Sequence, residues 1–154
     1  MSEKFCFWIH GVNVIPEFTK EYTGHENGLY LRRTGWGAQI RQNPDTTNWF
    51  HFGIPSATKL DDDNVSYNRA WLRLRINNEA VIDRVHIREA SGPQSNCPLI
   101  WDSGTLNISG QDTELTFNLP DQQNKGPLDM CVHVKFEREN GEVVFAGAGG
   151  WFEA

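Results

Sequence analysis

Most of the chain alternates apolar and polar residues with a period of two, which is typical of strands with one buried face and one solvated face. The clearest runs are residues 69–76 and 80–88. Similar runs, bounded by Gly, Pro or Asn, lie at residues 5–10, 12–15, 28–33, 36–41, 48–54, 99–101, 105–108, 113–119, 129–137 and 143–152. Helical periodicity is not evident in any long window. The pattern predicts an all-β fold, an antiparallel β-sandwich of jelly-roll type with about nine or ten strands. We expect one domain over residues 1–154.

The two clearest runs predict a β-hairpin closed by a two-residue loop at Asn78 and Glu79. In that register Leu72 faces Val85, and the apolar side chains share one face. The other face of the hairpin would then carry Arg69, Trp71, Arg73, Arg75, Arg84, His86 and Arg88. Like charges opposite one another destabilise a sheet. We therefore expect an acidic loop, a neighbouring protomer or an anionic ligand to cover this Trp/Arg face.

Charge and composition exclude several classes of protein. A formal net charge of −6 and a pI near 5.3 argue against a general nucleic-acid binder, which carries a basic excess. No run approaches the ~18 apolar residues of a membrane span, and residues 5–9 are too short for a secretory signal. The chain has three cysteines, Cys6, Cys97 and Cys131, and their spacing shows no pattern. We therefore expect no disulfide framework, and a cytoplasmic, reducing compartment for the protein.

Several short segments form a pattern that covers most of the chain. They are Trp-Ile-His-Gly at 8–11, Arg-Thr-Gly-Trp-Gly at 33–37, Asn-Trp-Phe-His-Phe-Gly-Ile-Pro at 48–55 and Phe-Ala-Gly-Ala-Gly at 145–149, followed by Phe152. In these segments the chain resembles a family of small, uncharacterised bacterial β-sandwich proteins. The resemblance implies a compact all-β domain. It implies no activity, so no catalytic residue is assigned from it.

Three predicted strands carry unusual side chains on the face opposite their apolar residues. These side chains are Cys6, Trp8 and His10, then Trp49 and His51, then Cys131 and His133. They could form a second packed layer or subunit interface, or a pocket with Trp walls and His as donor, acceptor or ligand. Because they occur singly, without His-x-His or Cys-x-x-Cys clustering, we expect no metal and no cofactor.

Two groups of acids offer further chemistry. Asp61, Asp62, Asp63 and Asn64 could be a solvated loop, a calcium site or the acidic cover of the Trp/Arg face. The alternation places Asp83 inward beside Leu74, where a buried carboxylate must be paired or protonated. We expect an inward Arg or Tyr, such as Arg32 or Tyr67, to pair with it; the alternative is a catalytic acid.

The six Trp exceed what a core of this size needs, so we expect one or two to be exposed, where they could stack on sugar rings. The main hypothesis is a non-catalytic binding or assembly module whose Trp/Arg hairpin face engages a partner protomer, an acidic surface or an anionic ligand such as a carbohydrate. Homo-oligomerisation is the expected form of assembly. The predicted site residues are Trp71, Arg73, Arg75, Arg84, His86, Trp49 and His51. The alternative is a cofactor-free enzyme of cyclase or isomerase type, acting on a small hydrophobic substrate in a Trp/His-lined pocket.

Overall fold

The computed structural model describes residues 3–93 and 97–154, and nearly all of its regular structure is antiparallel strand. The strands are β1 (Lys4–His10), β2 (Ile15–Pro16), β3 (Tyr30–Thr34), β4 (Gly37–Arg41), β5 (Thr46–Ile54), β6 (Lys59–Leu60), β7 (Asp63–Asn64), β8 (Ser66–Ile76), β9 (Ala80–Glu89), β10 (Leu99–Asp102), β11 (Gln111–Asn118), β12 (Leu128–Phe136) and β13 (Glu142–Glu153). Within the described ranges the helical pieces are a 3₁₀ turn at Gly11–Asn13 and a one-turn helix, α1, at Lys20–Thr23. The predicted all-β fold is confirmed.

The strands form two main sheets. The front sheet has the order β11-β8-β13-β4-β3, and β1 pairs with the C-terminal part of β13. The back sheet has the order β10-β9-β12-β5-β2. The short strands β6 and β7 form a separate exposed hairpin. None of the helices in the described part of the chain is long and apolar enough to span a membrane.

The hydrophobic core lies between the two sheets. Phe145 of β13 contacts Phe50 and Phe52 of β5, with ring centroids 5.6 and 5.2 Å apart. The inward faces predicted for β5 and β12 are fully buried, and that of β1 packs against the core. Burial of these apolar faces is the main favourable term for a sandwich of this kind. The architecture is an antiparallel β-sandwich of jelly-roll type.

The predicted hairpin between β8 and β9 is wrong, because the two strands belong to different sheets. β8 pairs with β11 and β13, whereas β9 pairs with β10 and β12. Leu72 is therefore opposite Leu115 and Ala148 rather than Val85. The Asn-rich segment carries the chain from the front sheet to the back sheet, so the predicted Trp/Arg face is divided between two opposite surfaces.

A β-bulge in β9 reverses the predicted orientation of its first half. Arg84 is opposite His133, but Ile82, two residues earlier, is opposite the very next residue, Val134. Such an extra residue shifts the alternation by one. Ile82 is consequently buried, and Asp83 lies on the outer side of the back sheet rather than beside Leu74.

Two predicted strands are shorter than expected or absent. Residues 12–15 form part of the 3₁₀ turn and the two-residue strand β2. Residues 105–108 contribute a single bridge between Ile108 and Ile82. The sequence also predicts an exposed polar loop at residues 90–98, and part of it lies outside the described residues.

Candidate functional site

The outer face of the front sheet carries a cluster of three Trp side chains. Trp8 of β1 and Trp71 of β8 stack with ring centroids 5.1 Å apart and planes inclined by 19°. Trp151 of β13 meets Trp71 edge-on at 6.3 Å. Large, rigid rings of this kind offer contact area at low conformational cost.

Glycine in the central strand makes this cluster possible. Gly149 of β13 lies opposite Trp8 on one side and Trp71 on the other. A Cβ atom at Gly149 would lie 2.1 Å from the carbonyl oxygen of Phe7 and 3.0 Å from the Trp8 ring. The missing side chain therefore lets two rings from strands that are not adjacent meet above β13.

Beside the Trp cluster is an open cleft of about 380 Å³. Trp36 forms one wall, and its side chain is exposed to 59%. The other lining residues are Arg73, Leu74, Arg75, Asp112, Thr113, Glu114, Val144 and Ala146. The cleft thus combines an aromatic wall with apolar, hydroxyl and charged groups.

The turn that carries Trp36 is tied to neighbouring elements. His10 Nε2 is 2.9 Å from the carbonyl oxygen of Gly35. The Thr34 hydroxyl donates to the carbonyl of Gly37 at 3.0 Å, and the Trp36 amide donates to that hydroxyl. These contacts hold the indole at the rim of the cleft.

Two of the three arginines of β8, Arg73 and Arg75, are paired with acids of the adjacent strands. Arg73 Nε is 2.7 Å from Glu114 Oε1 on β11, and Arg75 is 3.8 Å from Glu142 on β13. The guanidinium carbon of Arg73 also lies 4.1 Å from the Trp8 ring centroid. The acidic cover that we expected from a loop, protomer or ligand is therefore supplied within the sheet, and by these acids rather than by the β6–β7 hairpin.

The outer face of the back sheet carries a different cluster, centred on Trp49. The Trp49 ring lies 4.8 Å from His86 and 4.7 Å from His133. His133 Nδ1 is 2.6 Å from Asp83 Oδ1, and Lys135 Nζ is 3.4 Å from Asp83 Oδ2. The expected pairing of Asp83 with Arg32 or Tyr67 is wrong, because the β-bulge turns the carboxylate toward β12.

His51 lies between two carboxylates on the same face. Its Nδ1 is 2.7 Å from Asp129 Oδ2, and its Nε2 is 2.8 Å from Glu17 Oε1. The hydrogen bond with Asp129 is the main reason that the pKa of His51 is raised to about 11. Cys131 Sγ is 3.4 Å from Asp129 Oδ2, and burial raises the pKa of this thiol.

These side chains include a group that could hold a metal ion. One ligand atom each from His51, Asp129 and Cys131 lie within 4.8 Å of one another. Among the described residues, no other group of three or more His, Cys, Asp or Glu side chains has its ligand atoms this close together.

His86 and Arg84 both approach Asp102 of β10. His86 Nε2 and Arg84 Nη1 each lie 3.5 Å from Asp102 Oδ2. Burial lowers the pKa of His86, and the positive charges of Arg88 and Arg84 lower it further. The Asp102 carboxylate acts in the opposite direction, but the pKa remains below its ordinary value. This part of the face therefore holds a neutral imidazole next to an ion pair.

The predicted site residues fall on two opposite surfaces. Trp71, Arg73 and Arg75 lie on the front sheet, whereas Trp49, His51, Arg84 and His86 lie on the back sheet. Of the six Trp, Trp8 and Trp36 are exposed, which confirms the expectation of one or two. Neither was included in the predicted site. The sequence signal for the exposure of Trp36 is its place in a Gly-Trp-Gly turn at residues 35–37, which makes it one of the Trp residues that could stack on a sugar.

No profile of a known protein family matches the chain, and neither does any curated protein, so the resemblance to bacterial β-sandwich proteins stays a prediction.

Several solved structures have a similar fold. One, described as the xylan-binding module CBM15, is 11% identical with a TM-score of 0.58, and the match covers 98% of this chain and 97% of that one. A second, described as a low-affinity xylan-binding module, CBM86, from Roseburia intestinalis, is 13% identical with a TM-score of 0.50, covering 97% and 94%. At these identities the likeness concerns the β-sandwich alone.

Proposed function

We propose that this protein is a non-catalytic carbohydrate-binding module whose binding site is the cleft on the front sheet. The observation that carries the proposal is the exposed Trp36, which lines the cleft together with Arg73 and Glu114. An indole ring stacks on the apolar face of a pyranose, while charged and hydroxyl groups bond its hydroxyls. The volume of about 380 Å³ is in the range of small-ligand sites.

The charge of the cleft favours a neutral polysaccharide. Arg73 and Arg75 are both paired with carboxylates, and Asp112 adds another negative charge to the lining. Little net positive charge is left to attract a polyanion. The similarity in fold to two xylan-binding modules supports xylan as the first ligand to test. The proposal therefore keeps the carbohydrate of the sequence-based hypothesis but replaces an anionic ligand with a neutral one.

Homo-oligomerisation stays a prediction, but its main argument has weakened. It was expected because the hairpin arginines required a neighbouring acidic surface. Glu114 and Glu142 now provide that surface within the same chain. Arg73 and Arg75 therefore need no partner protomer to balance their charge.

The enzyme hypothesis is less well supported by the geometry. It predicts a Trp/His-lined pocket, yet His10 lies on the front sheet and His51 and His133 lie on the back sheet. The candidate catalytic acid, Asp83, contacts both His133 and Lys135. Neither observation favours this hypothesis over a binding module.

The proposal is tested by affinity electrophoresis and calorimetry with soluble xylan, using polygalacturonate as the anionic comparison. We expect xylan to bind and Trp36→Ala to weaken binding at least about tenfold, or about 1.4 kcal/mol. Tyr22→Ala is the matched control, because Tyr22 is a 73% exposed aromatic residue that does not line the cleft. Equal loss in both variants, or binding that survives Trp36→Ala, would contradict the proposed site.

A further inference from the structure

The back sheet contains a mixed nitrogen, oxygen and sulfur ligand set that is separate from the proposed sugar cleft. His51 of β5 lies directly opposite Cys131 of β12, and Asp129 precedes Cys131 by two residues on the same face. We infer that His51 Nδ1, a carboxylate oxygen of Asp129 and Cys131 Sγ form a binding site for a zinc-type transition-metal ion. The ion would replace the proton that now lies between His51 and Asp129 and the thiol proton of Cys131, and both protons would be released to solvent.

The surroundings of His51 match those of a metal-bound imidazole. Nδ1 faces Asp129, while Nε2 is 2.8 Å from Glu17 Oε1. When a metal occupies one ring nitrogen, the other N–H usually donates to a carboxylate, which fixes the ring and raises its basicity. Glu17 is already placed for this role.

A second observation comes from Asp129 itself. Its Oδ2 accepts contacts from His51 and Cys131, but its Oδ1 is buried without a hydrogen-bond partner. An unpaired buried carboxylate oxygen is costly, so such atoms call for an explanation such as an unseen ion. A cation that binds Asp129 through Oδ1 would remove this cost.

The ligand types select the class of ion. Thiolate and imidazole favour zinc and similar metals, whereas calcium and magnesium require mostly oxygen ligands. Three protein ligands leave one tetrahedral position free. His51 and Asp129 are partly exposed, with side chains at 27% and 37%, so that position can face solvent.

The same face contains a natural control pair. Asp83 and His133 form a second carboxylate–imidazole contact at 2.6 Å. The other carboxylate oxygen of Asp83 contacts the Lys135 ammonium at 3.4 Å. In the His51–Asp129 pair, the third group is instead the Cys131 thiol. A cation already occupies the position beside Asp83, so we expect no metal to bind there.

Cobalt(II) titration tests the site in a Cys6→Ser/Cys97→Ser background, which removes the two exposed thiols. We expect one equivalent of Co²⁺ to give a near-ultraviolet thiolate-to-cobalt absorption band that Zn²⁺ abolishes. Cys131→Ser should remove the band, and Asp129→Asn should weaken binding at least about tenfold. Glu17→Ala should weaken binding roughly 10–100-fold, and Asp83→Asn should leave it unchanged.

A second readout does not depend on the thiol variant folding. Zn²⁺ should raise the thermal unfolding midpoint of the background protein and of its Asp83→Asn variant. The increase should be much smaller for the Asp129→Asn variant. The site is refuted if Co²⁺ produces no thiolate band. It is equally refuted if Asp129→Asn and Asp83→Asn have the same effect on metal binding.

Discussion

Trp8 and Trp71 stack with ring centroids 5.1 Å apart although a third strand separates their own strands. Their meeting point is Gly149, whose missing side chain leaves room for both rings. The same glycine accepts a hydrogen bond on its carbonyl oxygen from the buried Tyr67 hydroxyl at 2.7 Å. Gly149 therefore joins the outer aromatic face of the front sheet to the core.

Adding one methyl group at this position should destabilise the protein. In Gly149→Ala the new Cβ would collide with the Phe7 carbonyl oxygen at 2.1 Å, and backbone must move to relieve the contact. We expect the free energy of unfolding to fall by about 1–3 kcal/mol in urea denaturation. Gly53→Ala is the control, because a Cβ there meets nothing within 4 Å and should change stability by less than about 0.5 kcal/mol. Similar losses in both variants would contradict the argument.

Removing the Tyr67 hydroxyl should also reduce stability. Tyr67→Phe keeps the stacked ring pair with Phe152 but leaves the Gly149 carbonyl without this donor. We expect a loss of about 0.5–1.5 kcal/mol in the free energy of unfolding. Tyr30→Phe removes a hydroxyl from a residue that is 45% exposed and should have almost no effect. An unchanged free energy of unfolding for Tyr67→Phe would mean that the hydrogen bond from Tyr67 to Gly149 does not stabilise the protein.

His86 should make the protein less stable in mild acid. Burial lowers its pKa in the folded state below the value of about 6.5 expected for the unfolded chain. The unfolded state therefore binds a proton first, and the contribution of neutral His86 is lost as the pH falls from about 6.5 through the lowered folded pKa. Urea denaturation from pH 7.5 to 4.5 should show a shallower decline for His86→Gln than for the wild type. Parallel curves would rule out this role.

Charge reversal at Arg73 distinguishes the assembly hypothesis from the binding hypothesis. Because its acidic partner Glu114 belongs to the same chain, we expect Arg73→Glu to leave the sedimenting mass unchanged. Xylan binding should nevertheless decrease, since Arg73 lines the cleft and covers the Trp8 ring. A wild-type oligomer that dissociates in Arg73→Glu would instead place this face in a subunit interface.

Within each strand, the amino-acid sequence by itself determined most of what is observed. Alternation along β5 and β12 correctly placed Phe50 and Met130 inward, with His51 and Cys131 on the opposite face. This succeeds because side-chain direction in a strand has a period of two, which is a local property. An exception is β9, where a single extra residue, opposite the step from His133 to Val134, reverses the alternation and moves Asp83 outward.

Only the tertiary structure decided which strands are neighbours. A short polar break such as that between β8 and β9 is equally compatible with a hairpin and with a crossing to the other sheet. The choice depends on burying both apolar faces in one core, which involves strands far apart along the chain. That choice brought Trp36 to Arg73 and His51 to Asp129, and it separated Trp71 from His86. Both proposed sites depend on contacts between strands that are distant in the chain, so local patterns could not predict them.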